Sequence, residues 1–439
     1  MQKPLELSLY NEQRVGASWK KKNTPVLCYL FFLLLFMIVS FVEPSKVLLS
    51  VLAIIDLIIT TAVIVTNYRK TGIIFSPLNA ICITWGILIP ASSFEFPAME
   101  NMSAFSWNRC LITEIIGLFV CLLFQKDAAK KKEDFVITRS EEICLTILLI
   151  LSVASIAYSF SRIGFSGPSN DSVSSLRTEE FFPGFNIVSN LGTVCVPPLL
   201  INKNKRFKKT VIAISALYLL LLLISAIRFA LVLCLILLFS YYVFVKKRHL
   251  KIIFVLGVFI LVAFLFANFI RRGNDSVVFY FINTGIYSGT VREFNSTEVF
   301  RYIGYSQRLM DLYMNSNPGG TNNGLFTLYP ILRFFFVEPE LVSIGSIYGY
   351  NANNIITILY ADFGIFWPLA VFAFFSICIA CYNWKIRTNS FVASYFWSVA
   401  LFALLFSFYA YVFQYVYWVT IYPLALVAIH LVFGGVKNV

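Results

Sequence analysis

The stretch Val47–Thr66 reads VLLSVLAIIDLIITTAVIVT, with Asp56 as its sole ionisable group. A bilayer core of about 30 Å is crossed by about 20 apolar residues at a helical rise of about 1.5 Å each. This stretch therefore predicts a transmembrane helix. Similar runs begin near Pro25, Pro77, Trp107, Glu141, Phe185, Thr210, Phe229, Ile252, Asp362, Phe391 and Gln414. The expected fold class is all-α, a polytopic transmembrane bundle of about twelve helices.

Composition supports that reading. The 439 residues are 59% hydrophobic and 13% charged, against about 45–50% and about 25% in an average soluble domain. Mean hydropathy is +0.78. Charge is too sparse to cover soluble domains, and disorder, collagen and disulfide scaffolds are excluded by the same numbers. The net charge of +13 does not indicate a nucleic-acid partner, because the basic residues lie between apolar runs. Nine cysteines sit mostly within those runs, so Cys378 and Cys381 are read as packing residues. The first run has no small-residue cleavage site after it and is read as a retained helix.

Basic clusters fall at alternate connections: Lys20–Lys22, Arg69 and Lys70, Lys130–Lys132, Lys203–Lys209, Lys246–Arg248, Lys385 and Arg387, and Lys437. Positive charge in short loops marks the cytoplasmic face, which puts both termini inside. The chain then divides into helices 1–9 over 1–270, a large external loop over 271–351, and helices 10–12 over 352–439. The loop carries Tyr280, Tyr287, Tyr302, Tyr305, Tyr313 and Tyr329, an apolar stretch Leu325–Val337 and turn residues at Asn317–Gly320. A helix capped by Ser296 or Thr297 is expected to run to about Met314. It would place Phe300, Ile303 and Met310 on one face and Arg301, Tyr305 and Arg308 on the other. A small, partly helical cap against the outer membrane face follows.

Sorted by this topology, the inner side holds 18 Lys and 6 Arg, the outer side 1 Lys and 10 Arg. The positive-inside rule explains the first excess but not the preference for arginine outside. Guanidinium binds phosphate or carboxylate bidentately. The loop from Arg271 to Tyr350 carries six Arg and six acids, so any anion must be held by positioned arginines rather than by bulk charge. Pairing with Glu293, Glu298, Asp311, Glu338 and Glu340, or reaching for head groups, is the plainer role for most of them. Arg228 differs, because it lies between two apolar runs with no acid nearby and is read as ligand-facing. Asp56 and Glu114 lie within helices two and four, where ionisable groups are either functional or satisfied by neighbours. His249 and His430 are read as structural. No Asp-x-Asp, histidine cluster, Walker-type loop or G-x-S-x-G occurs, so neither a metal nor another cofactor is expected. Glu338-Pro339-Glu340 reads as a turn.

The helix count, inside termini, outer loop, S-x-x-R hairpin at Ser225–Arg228, and the segment Asn351…Asn354…Thr357…Tyr360-Ala-Asp362-Phe-Gly364 together resemble the Wzy-type polymerases of O-antigen and capsular polysaccharide. The resemblance covers roughly Ser225–Gly364 by motif and the rest by hydropathy. It implies a glycosyltransferase in a bacterial inner membrane, acting on undecaprenyl-diphosphate-linked repeat units at the outer face. Membrane lipids and a chain-length regulator are the expected partners. On that reading Arg228 acts with Arg271, Arg272, Arg292, Arg301 and Arg308 on the diphosphate. Tyr302, Tyr305 and Tyr360 meet sugars, and Asp362 or Glu338 orients or deprotonates the acceptor hydroxyl. An O-antigen ligase is the first alternative, and it lacks here the outer histidine that the ligase resemblance would imply. A lipid-linked oligosaccharide flippase or proton-coupled transporter, with Asp56 and Glu114 as relay, is the second.

Overall fold

A computed structural model describes residues 23–42, 45–93, 104–126, 137–163, 185–202, 208–224, 228–246, 306–307, 309–311, 313–317, 319, 322–335, 337, 353–388, 390–414 and 417–433. These residues are 89% helical, and no strand occurs among them. The first helices are α1 (Asn23–Phe41), α2 (Lys46–Thr71) and α3. The last of these runs over 77–93 as Pro77–Ile81, a π-helical Cys82–Leu88 and Ile89–Ser93. Then come α4 (Ala104–Phe124), α5 (Arg139–Ile163), α6 (Phe185–Ile201), α7 (Lys208–Ile224) and α8 (Arg228–Lys246). The later helices are α9 (Leu325–Phe334), α10 (Ile355–Phe363), α11 (Trp367–Arg387), α12 (Phe391–Leu405) and α13 (Tyr422–Phe433), the last preceded by a π-helical turn, Tyr417–Ile421.

Five stretches are long and apolar enough to cross a membrane: Asn23–Phe41, Val47–Thr71, Ser106–Phe124, Arg139–Ser161 and Ile355–Arg387. The chain is thus a helical membrane protein. Of the other described apolar runs, α8 has 19 residues and the rest form helices of 17 residues or fewer; the run beginning near Ile252 lies outside the described residues.

Local chemistry sets the helix ends. Ser45, Ser76 and Ser390 accept N–H bonds at the starts of α2, α3 and α12, with Pro77 opening α3. Gly72, at φ 69°, closes α2 after Arg69 and Lys70. Thr138 and Glu141 cap α5 reciprocally: Thr138 N–H donates to Glu141 Oε2 at 2.6 Å, and Glu141 N–H to Thr138 Oγ1 at 3.2 Å.

Lipid removes the hydrophobic drive between helices, leaving close packing and polar contacts to join them. Gly192 on α6 lets the Tyr218 ring of α7 approach so closely that a Cβ would meet it at 2.5 Å. The Tyr218 hydroxyl lies 2.9 Å from Thr193 Oγ1 and donates to the Ser189 carbonyl at 3.1 Å. Helix α8 is central, with every residue from Ala230 to Leu237 buried, packed among α6, α7 and α12. Helices α1 and α2 are peripheral; Phe31, Ile38, Ile54 and Ile58 face outward as a lipid-contacting surface requires.

Contacts agree with the alternation of connections. At the end carrying the basic connections, Gln125 accepts from Leu78 N–H, Asn383 bonds Lys126 N–H and the Phe124 carbonyl, and His430 Nδ1 lies 2.9 Å from Glu141 Oε1. At the opposite end Ser40 donates to Asn108, and Ile355 N–H to the Ser407 carbonyl at 2.9 Å.

Two expectations change. The tenth helix begins at Ile355 rather than near Asp362, and it breaks at Gly364 (φ 54°, ψ −129°) before resuming at Trp367. The apolar stretch after Leu325 is itself helical, and Phe334 and Ile331 share a cavity of about 250 Å³ with Phe396 of α12 and Pro423, Leu424 and Val427 of α13. This part of the expected outer cap therefore packs along the side of the bundle.

Candidate functional site

Helix α10 carries the Asn–Thr–Tyr–Asp-Phe-Gly motif, and its polar side chains hold neighbouring segments. Asn354 caps the helix, its Oδ1 accepting from Thr357 N–H and Thr357 Oγ1, both at 2.9 Å. Its amide donates to Gln307 Oε1 at 2.9 Å and to the Ser306 carbonyl at 3.4 Å. Ser306 Oγ donates to the Phe408 carbonyl at 2.5 Å, and the Cys110 thiol to Gln307 at 3.3 Å. The helical residues around 306–316 are thereby tied to α4, α10 and the turn after α12. Met310 is fully buried there, as its expected helix face requires.

Asp362 performs the same service for α9. Its Oδ1 accepts from Phe326 N–H at 3.0 Å, and its Oδ2 accepts from Thr327 N–H at 2.7 Å and Thr327 Oγ1 at 2.6 Å. A carboxylate at a helix N-terminus satisfies donors that have no intrahelical partner. Asn322 N–H to the Ala361 carbonyl, at 2.9 Å, completes the junction. Both Asp362 oxygens are engaged in this junction, so its geometry is that of a positioning residue rather than of the free base expected from sequence.

Arg109 of α4 lies at this same end, within electrostatic reach of Asp311 and Tyr360. Tyr360 is 8% exposed. Close to it is Tyr313, whose phenol is raised above its ordinary value by burial, with Tyr360 and Asp362 adding to the shift. Tyr313 is therefore a neutral hydroxyl. Tyr313 Oη and Asn353 Oδ1 are buried and have no hydrogen-bond partner among the described residues. Arg333 donates to the Tyr329 hydroxyl at 3.1 Å along α9.

Arg228 is the first residue of α8, directly after the short connection from α7; its side chain lies outside the described residues. Glu338, Arg271, Arg272, Arg292, Arg301, Arg308, Tyr302 and Tyr305 lie wholly outside them. Asp56 and Glu114 meet through the Tyr29 hydroxyl, between α1, α2 and α4. His430 joins α13 to the capped start of α5, the structural place expected of it. Among the described residues no group of three or more His, Cys, Asp or Glu is arranged to hold a metal.

Reading by residue type missed Gln307, Ser306 and Tyr29, since uncharged polar groups inside apolar or loop sequence carry no pattern of their own. No family model, curated protein or solved structure matches the chain.

Proposed function

We propose that the chain is a polysaccharide polymerase of the bacterial inner membrane, with both termini cytoplasmic, joining undecaprenyl-diphosphate-linked oligosaccharide repeat units into O-antigen or capsular polysaccharide at the outer face. The acceptor sugar hydroxyl forms a bond to the anomeric carbon of the growing glycan. The bond from that carbon to the diphosphate breaks, the hydroxyl proton passes to a carboxylate, and undecaprenyl diphosphate leaves. Guanidinium groups aimed at the departing diphosphate stabilise charge as it develops there. Arg228 and the loop arginines 271, 272, 292, 301 and 308 take this role, with Tyr302, Tyr305 and Tyr360 against the sugars. Glu338, four residues past the end of α9, is the base in this scheme, and Asp362 fixes the helix that leads to it.

One observation carries the reading. At the end opposite the basic connections, α10 fastens two parts of the long connection, and Tyr313 Oη and Asn353 Oδ1 are buried there with no hydrogen-bond partner among the described residues. Such atoms are rare unless a ligand or water completes them. The apolar cavity between α9, α12 and α13 also suits a prenyl chain. A chain-length regulator is the partner this activity calls for.

The test is Arg228→Lys in cells. The account predicts severely shortened polymer at unchanged protein level. Polymer of unaltered length removes Arg228 from the mechanism. Normal polymer left on its lipid in a deletion strain points to ligase instead, and repeat units accumulating at the inner face point to flippase.

A further inference from the structure

Helices α1, α2 and α4 bring four polar side chains together near the middle of their spans. Tyr29 Oη is 2.8 Å from Asp56 Oδ1, 2.6 Å from Glu114 Oε1 and 2.5 Å from Thr60 Oγ1. Tyr29, Asp56 and Thr60 are fully buried and Glu114 is 1% exposed. Neither carboxyl has an ion pair among the described residues. Among the described residues, the other titratable groups facing the cluster are the thiols of Cys82 on α3 and Cys110 on α4, with Cys121 beyond Cys82. Helix α3 contributes Gly86 from its π-helical stretch; a Cβ there would lie 2.5 Å from Thr60 Oγ1 and 2.7 Å from both Glu114 Oε1 and Tyr29 Oη. Single-turn π-helical insertions recur at functional sites.

Counting hydrogens fixes what these contacts contain. A phenol holds one hydrogen and accepts from donors at its oxygen. If Tyr29 donates to one carboxyl and Thr60 donates to Tyr29, the remaining carboxyl contact needs a hydrogen that only a carboxylic acid can supply. If Tyr29 donates to Thr60 instead, both carboxyls must be acids. With one hydrogen to each contact, at least one proton resides on the pair. Asp56 Oδ2, also buried, has no hydrogen-bond partner among the described residues, so the cluster presents an acceptor that its own members leave unused.

We propose that Tyr29, Asp56, Thr60 and Glu114 form an intramembrane proton-binding site, in which a proton passes between Asp56 and Glu114 through the Tyr29 hydroxyl and exchanges at Asp56 Oδ2 with a water molecule that reaches it, hydronium delivering the proton and water accepting it. In the transfer the Asp56 O–H bond breaks as one forms on Tyr29. The Tyr29 O–H bond breaks as one forms on Glu114, and the negative charge moves from Glu114 to Asp56. Ionisable groups at this depth are costly and mark proton or ion pathways. The site stands whether or not the sugar chemistry does.

Infrared difference spectroscopy of the purified full-length protein, recorded as a pH titration in water and in D2O, tests it. The expected result is a carboxylic-acid carbonyl band that shifts on deuteration and titrates. Asp56→Asn and Glu114→Gln should each abolish it, and Tyr29→Phe should displace it. No band, a band constant over the whole pH range of the folded protein, or titration identical in all three variants overturns the proposal. So does a band that answers to sodium at fixed pH rather than to pH. Should the carboxyl variants not fold, the wild-type titration and Tyr29→Phe decide alone.

Discussion

Asp362 is one of the two carboxylates that sequence offers as base or orienting group, yet its bonds are those of an anchor. A catalytic base loses its function with either substitution, whereas an anchor distinguishes them. Asp362→Asn keeps an oxygen to accept from the start of α9, while Asp362→Ala keeps none. The alanine variant should lose about 1–3 kcal/mol, the scale of hydrogen bonds to a charged acceptor, and the asparagine variant distinctly less. Polymer length should follow the same order. Thermal denaturation in detergent measures the first and gel profiles of surface polysaccharide the second; equal and complete loss of polymer in two stably folded variants would restore Asp362 as the base. Asn354 has two separable duties. Asn354→Asp keeps the helix cap but removes the amide that donates to Gln307 and Ser306. Asn354→Ala removes both, and a lost cap alone costs about 1 kcal/mol. Limited proteolysis should show faster cleavage around residues 306–317 in both variants, with a lower melting temperature for alanine.

Helix α10 and its break show which elements the sequence declares and which it hides. Apolar length announces a span, so α2, α4 and α5 are legible from composition alone. The break at Gly364 is not, because Phe363-Gly364-Ile365 is apolar throughout and only backbone geometry marks it. Its φ of 54° with ψ of −129° lies in a region that residues with a Cβ avoid. Gly364→Ala should therefore cost about 1–3 kcal/mol, read as a drop in melting temperature; an unchanged melting point would mean that the helix runs on unbroken. Gly86 was equally silent in sequence. Its substitution by alanine would press a methyl group against three oxygens, and overpacking of this kind costs about 1–3 kcal/mol. Asp56 and Glu114 were visible as ionisable groups within apolar runs, but the tyrosine that joins them looked like any aromatic residue of a lipid-exposed helix. At the candidate site the motif residues Asn354, Thr357 and Asp362 were found by type, while their duty as fasteners became readable only with their partners in place.

Among the described residues, contacts gather the helix ends into two sets. Contacts within each set follow the alternation of basic connections, which predicts that Ser45→Cys reacts with an impermeant maleimide from outside the cell. Lys130→Cys should react only after the membrane is opened. Reaction of both from the same side would dismantle the topology and with it the outer location of Arg109, Arg228 and the long connection. The lysine–arginine sorting belongs to this scale too: either cation satisfies the positive-inside rule, but a planar fork suits a diphosphate. The most direct measurement is incubation of the purified protein with lipid-linked repeat units, without nucleotide, followed by separation of the products by size. The account predicts a ladder of oligomers, each one repeat longer than the last and still attached to lipid. Repeat units recovered unjoined by folded protein would contradict it.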